Sequence, residues 1–294
     1  MCGGGGMSEQ TTAGDGRAPG YRSEATLRVA TELRRQLTRR RTQISVGFLV
    51  ALPFLLVLAF TLGNSSNSTT GSGSYVDRAT TSGLNFAVFT LFVSIGFLLV
   101  VVVALFFGDA VASEASWSSL RYLLAIPVPR ARLQRQKAVA AGLLSLLALV
   151  VLPVVALAVG YAVYGGGGIT SPLGDALGFG TGIVRLLLAV AYIALSLLWV
   201  AGVASLLSVA TDAPLGAVGG AVMITIVSEI LDGIPALGGL RDWLPTHYAY
   251  SWTALLSADI NWSQMAWGAF SALAYATILS ALAWWRFTTK DITS

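Results

Sequence analysis

Six apolar runs, at 44–62, 84–107, 138–164, 183–210, 215–231 and 265–285, divide this chain into membrane-length segments and polar connections. Crossing a hydrocarbon layer of about 30 Å takes roughly 20 helical residues, so each run is long enough, or nearly so, to span it. Pro53 and Pro153 fall inside the first and third runs and predict a bend in each. Ahead of the runs, residues 1–20 are Gly-rich and polar with almost nothing to bury, which predicts a disordered tail. A helix is predicted to follow from Ser23, with Glu24 and Glu32 in its early turns and Arg39, Arg40 and Arg41 in its last, an order that suits the helix dipole. Leu27, Ala30, Leu33 and Leu37 make one apolar arc on it, so it is expected to lie in the inner headgroup layer with its arginines toward anionic lipid. A solvated basic helix that only anchors topology is the alternative.

Composition agrees with the pattern. Of 294 residues 55% are hydrophobic and only 11% charged, against roughly 25% charged in soluble domains, so the class is an all-α membrane protein. The net charge of +4 reports topology rather than a nucleic-acid partner, because Lys and Arg cluster beside apolar runs. With the N-terminus inside, eight Lys and Arg precede residue 44, five lie in the 107–137 loop and two in the tail, while only Arg78, Arg185 and Arg241 fall outside. Fifteen against three predicts cytoplasmic N- and C-termini around six spans. No apolar stretch precedes Ile44, so no cleavable signal is expected and the first span serves as its own. The connections after the first and third spans are small, polar and nearly uncharged, and are read as passive.

Two connections differ. The loop at 107–137 reads FGDAVASEASWSSLRYLLAIPVPRARLQRQK, and no lipid span could contain its charges. A short helix over 109–124 is predicted there, with Glu114, Ser118 and Arg121 on one stripe and Trp117, Leu120 and Leu124 on the next, stopped by Pro127 and Pro129. From sequence alone, an interfacial helix in a basic loop is an equal reading. The segment 232–264 follows a fifth span of only about 17 residues and opens on the Gly-broken IPALGGL, which suits a half-buried re-entrant hairpin. Trp243, Tyr248, Tyr250, Trp252 and Trp262 then place aromatic rings at the outer headgroup level. Glu229 lies inside the fifth span, within roughly 9 Å of the outer surface by helical rise. It either lines the exit of a translocation path or snorkels or pairs with Arg241 or Arg185. Arg185 reads as an interfacial anchor and His247 as a surface or capping residue.

Catalytic chemistry is not expected. Lys137 follows Gln136 and Lys290 follows Thr289, so neither belongs to a phosphate-binding Gly-Lys-Ser/Thr turn. One cysteine, Cys2, and one histidine, His247, supply neither a disulfide nor a zinc site, and no GxSxG elbow accompanies the histidine.

The ordered set Glu114, Leu120, Arg121, Leu123, Leu124, Pro127, Arg130 and Lys137 resembles the first cytoplasmic loop of ABC-2 type transporter permeases, the transmembrane subunits of bacterial ABC exporters. Ser118 and Ser119 replace the Gly-Thr that many members carry. From Tyr21 onward, beyond the tail at 1–20 whose composition predicts disorder, the resemblance implies a cytoplasmic connecting helix at 21–43 and a six-helix transmembrane domain at 44–294, with a re-entrant outer segment before the last helix. It implies two copies of a separate ATPase carrying ATP and Mg, a second permease protomer, and a place in the bacterial plasma membrane. Asp109, Glu114, Trp117, Ser118, Leu120, Arg121, Leu124, Pro127 and Arg130 would then face the ATPase, Arg39, Arg40 and Arg41 the membrane surface, and Glu229, Tyr248 and Trp252 the path or its exit. Apolar second and fifth spans favour a lipophilic cargo. An ion-coupled secondary transporter and a non-transporting scaffold for a cytosolic protein are the rivals from other classes.

Overall fold

The computed structural model describes residues 29–64, 75–116, 130–170, 176–257 and 259–289. The expected tail at 1–20, the start of the connecting helix, and Trp117, Ser118, Leu120, Arg121, Leu124 and Pro127 lie outside the described residues, and of Glu114 and Arg130 only the backbone is described.

The apolar runs form helices α2 (Arg40–Asn64), α4 (Gly83–Ile95), α5 (Leu98–Ser116), α6 (Arg130–Tyr164), α7 (Phe179–Ser196), α8 (Leu198–Ala210), α9 (Pro214–Asp232) and α10 (Trp262–Thr289). Two short helices, α1 (Val29–Leu37) and α3 (Tyr75–Ala79), precede α2 and α4. Five helices, counting α7 and α8 as one, are long and apolar enough to cross a membrane, and α4 with α5 makes a sixth if the bent pair is one span. The chain is thus an all-α membrane protein with five or six candidate spans. Pro53 and Pro153 sit within α2 and α6, which both run on past them. Pro214 opens α9 at a position where its missing N–H has no intrahelical role.

The run at 84–107, read as one straight span, is instead bent by 56° where α4 meets α5. Gly96 stands at that break, and a methyl group there would lie 2.8 Å from the Tyr250 hydroxyl and 3.5 Å from the Glu229 carboxylate. The missing side chain therefore lets both polar groups close on the bend. Residues 109–116, expected in a separate helix, continue α5. Residues 109–113 are buried, and the Ser208 hydroxyl at the end of α8 accepts from the backbone N–H groups of Val111 and Ala112, each at 3.1 Å.

Helix α4 is the centre of the packing. Leu84, Phe86, Ala87 and Leu91 are buried, and Thr90 and Ser94 donate to the carbonyls of Phe86 and Thr90, so their hydroxyls are satisfied without water. Without a hydrophobic force between helices in lipid, small residues and close backbones have to supply the attraction. Gly83 and Gly160 do this where α4 crosses α6. The opposite surfaces carry exposed Phe48, Phe54, Leu55 and Leu58 on α2 and Trp267 and Phe270 on α10, the composition that hydrocarbon tolerates.

The bundle has two dissimilar ends. At the basic end, Val111, Leu133, Val209 and Phe287 bring α5, α6, α8 and α10 into one small apolar cluster. At the aromatic end, Ile169–Thr170 and Ala176–Leu177 pair as a two-residue antiparallel ribbon, and 3₁₀ segments run over Pro235–Trp243 and Ser251–Leu256. The third connection is therefore not passive. Thr170 N donates to Asn85 Oδ1 at 3.0 Å, Ser82 Oγ donates to the Gly168 carbonyl at 2.9 Å, and Ile169 is buried.

Candidate functional site

At the basic end two ionic clusters tie α1 and the start of α2 to the parts of α5 and α6 that border the 107–137 loop. Helix α1 ends at Leu37, where Thr38 Oγ1 donates to the Arg35 carbonyl, so Arg39 lies in the break and Arg40 and Arg41 open α2. The expected helix with Arg39, Arg40 and Arg41 in its last turn is corrected accordingly. Its buried face differs too. Leu33 packs on the core and Gln36 is buried, whereas Ala30 and Leu37 are exposed.

Lys137, 3% exposed, is the centre of the first cluster. Its Nζ donates to the Ala110 carbonyl at 3.0 Å and lies 3.8 Å from Glu32 Oε1. Gln36 Nε2 donates to the same carboxylate at 3.0 Å and Arg35 pairs with it at 3.4 Å. Burial pushes the Glu32 carboxyl up, but Lys137, then Gln36, Arg35 and Arg39, outweigh it and hold the group below the usual carboxylate range. A depressed native pKa stabilises the docked helix above the ordinary carboxylate pKa, and that contribution is lost as pH falls through the native value. Hydrogen exchange over 29–37 should accordingly quicken in that acid window, and Glu32→Gln should flatten the response.

Asp109, 8% exposed, organises the second cluster. Arg39 Nη1 donates to its Oδ2 at 2.7 Å and Arg41 Nη1 to its Oδ1 at 2.6 Å, with Arg39 also 3.3 Å from Ser113 Oγ. Asp109 was expected on a partner-facing helix and Arg39 and Arg41 on lipid headgroups. The structure spends all three on one another, because α5 continues past residue 107 and brings the carboxylate under the α1–α2 break. Arg40 is exposed, and so is Arg41 despite its pair with Asp109.

At the aromatic end the segment between α9 and α10 is stitched to three helices. Ser228 Oγ and Thr246 Oγ1 are 2.7 Å apart on the α9 side, Tyr192 Oη donates to the Tyr248 carbonyl at 2.9 Å on α7, and Tyr275 Oη donates to the Trp243 carbonyl at 2.8 Å on α10. Arg185 donates to the carbonyls of Leu255, at 2.8 Å, and Ser257. Arg241 pairs with Asp232 at 3.4 Å, so neither arginine is the partner of Glu229. His247, read as a surface or capping residue, has its Nδ1 2.6 Å from Asp232 and its Nε2 3.5 Å from Asp242. The buried stretch is also not the one expected. No residue of Pro235–Trp243 is buried, whereas Trp252, Leu255 and Leu256 are. Gly238 turns the exposed part at φ 51°, a conformation open to glycine.

Of the residues assigned to a path, Glu229 faces the α4–α5 bend together with Tyr250, while Trp252 is enclosed and Tyr248 stacks edge-on against His247 at 4.8 Å. Tyr250, Glu32 and Gly96 carry this geometry and were not singled out as site residues from sequence. Glu32 had one legible signal, its i,i+4 spacing to Gln36. Among the described residues no group of three His, Cys, Asp or Glu side chains is arranged to hold a metal.

The model of one protein family, described as ABC-2 family transporter protein, matches residues 33–210. That range runs from α1 through α8 and contains both ionic clusters apart from Glu32. No curated protein matches the chain.

Proposed function

Because the chain belongs to the ABC-2 transporter family, in which a membrane permease normally works with an ABC ATPase, we propose that it is the permease half of an ATP-driven exporter in a bacterial plasma membrane. In this reading α4 and α5 form one broken span, giving six, and the basic end with both termini is cytoplasmic. Two copies of the permease enclose the path, and two ATPase subunits bind ATP and Mg below. The cargo is lipophilic, since α5 and α9 bring few fixed charges to the bundle.

The observation that carries the reading is the brace at the basic end. The flanks of the 107–137 loop are bonded to α1 through Lys137 and Glu32, and to the α1–α2 break through Asp109, Arg39 and Arg41. A push received by the loop therefore reaches two spans and the connecting helix together. Asp109 serves as part of that brace, and Glu114 with residues 117–130 receives the push. Glu229 and Tyr250 at the bend of the broken span are placed to respond at the other end.

The test is Glu114→Arg in the complex with its ATPase, reconstituted in vesicles. ATP hydrolysis should persist while export falls at least tenfold, on the order of 1.4 kcal/mol of coupling. Export at the wild-type rate, with equal permease in the membrane, would remove Glu114 from the coupling contact. Purified permease that retains no ATPase would remove the reading itself.

A further inference from the structure

The aromatic end contains a cavity that none of the above uses. It has a volume of about 200 Å³ and lies between α4, the two-residue ribbon and the Ser251–Leu256 segment, within a single protomer. We propose that it is a binding site for a single-chain anionic amphipath, a medium-chain fatty acid in its carboxylate form. The proposal needs neither an ATPase nor a direction of transport.

Shape is the first argument. On α4 the wall runs from Asn85 to Phe92, about 10 Å by helical rise, so 200 Å³ makes a slot about 20 Å² in section. That is slender, and suits one hydrocarbon chain better than a fused-ring body. Total volume is slightly above the roughly 150 Å³ of an engineered cavity that stays dry and takes benzene. The lining is mostly apolar. Val88, Phe89 and Phe92 are only half-buried on an otherwise enclosed stretch of α4, and all three face this space. Trp252 forms another wall, and its indole N–H has no hydrogen-bond partner. Tyr250 closes the deep end, with its ring 5.1 Å from that of Phe92.

Charge is the second argument. Among the described residues, Arg78 is the one ionisable cation on the wall and no carboxylate lines it. The Arg78 guanidinium makes no hydrogen bond or ion pair with the described residues; only its backbone carbonyl is engaged, by Thr81. Asn85, by contrast, is already spent on Thr81 and on the Thr170 N–H. A planar guanidinium at the mouth of an apolar slot matches a carboxylate head on an acyl tail. The tail would end against Tyr250, the residue that stands between the slot and Glu229.

The test uses purified permease in nanodiscs of zwitterionic lipid, exposed to an octanoate analogue carrying a diazirine in its chain, with adducts mapped by mass spectrometry. Adducts around Leu58, exposed on α2, report plain partition into the bilayer. Wild-type protein should carry adducts at Phe89, Phe92 or Tyr250 well above that reference. Arg78→Gln should lower them about tenfold relative to the reference. The methyl ester of the same probe should label wild type as weakly as the acid labels Arg78→Gln. Val88→Trp, which fills the slot, should abolish the adducts. Should that variant fail to fold, Arg78→Gln and the ester decide. Labelling that is insensitive to Arg78 and to the ester overturns the proposal. So does labelling no stronger than at Leu58, which is also the result expected if a second copy of the chain covers the opening.

Discussion

Replacing Lys137 with methionine is expected to lower the stability of the permease by about 3 kcal/mol, the scale for breaking a buried ion pair from one side. The ammonium group is enclosed, donates to the Ala110 carbonyl and neutralises Glu32. Methionine keeps the volume but leaves the Glu32 carboxylate without its main compensating charge. The thermal midpoint in detergent should fall by about 6–12 °C, taking a few degrees per kcal/mol for a chain of this size class. Adding Glu32→Gln should recover a large part of the loss, because the stranded charge, rather than the missing attraction, is the costly element. A single mutant that melts within about 1 °C of wild type would mean that the brace carries no load.

The second large effect is steric. A Cβ on Gly83 would lie 2.6 Å from the Tyr161 backbone nitrogen, and one on Gly160 would lie 2.9 Å from the Gly83 carbonyl oxygen. Both obstacles are backbone, so no rotamer change relieves them and the helices themselves must part. Gly160→Ala should cost about 1–3 kcal/mol, the range for overpacking, and Gly83→Leu should leave no monodisperse protein on gel filtration. Gly219, also helical, has open space around it. There the same alanine change should be neutral or stabilise by up to about 1 kcal/mol through helix propensity. Equal behaviour at Gly160 and Gly219 would sink the argument that α4 and α6 meet by backbone contact.

Hydropathy made the spans legible, and their positions hold to within a few residues at most ends, because a bilayer imposes a length that composition reports directly. What hydropathy could not show was where a helix bends or continues. The break at Gly96 and Phe97 lies in an unbroken apolar run, and the groups that close on it, Tyr250 and Glu229, are far away in sequence. The continuation of α5 past Phe107 rests on Ser208, a contact about a hundred residues away in the chain. Charges were legible as a census and illegible as pairs. The three arginines at 39–41 look alike in sequence, yet Arg39 and Arg41 meet Asp109 while Arg40 does not. Glu229 invited pairing with Arg185 or Arg241, and both are engaged by nearer carbonyls or by Asp232. The family match over residues 33–210 includes the 107–137 loop on which the resemblance rests and stops short of the segment from 211 onward, to which the resemblance also extends.

Helix α6 is 35 residues long, about 52 Å, and so overreaches any bilayer core by about 20 Å. In the proposed exporter it serves as a drive shaft: its protruding end is keyed by Lys137, and its far end is meshed with α4 at Gly160. On that proposal, a push applied at the key would arrive at the mesh some 35 Å away, past Pro153, which lies between them within the helix.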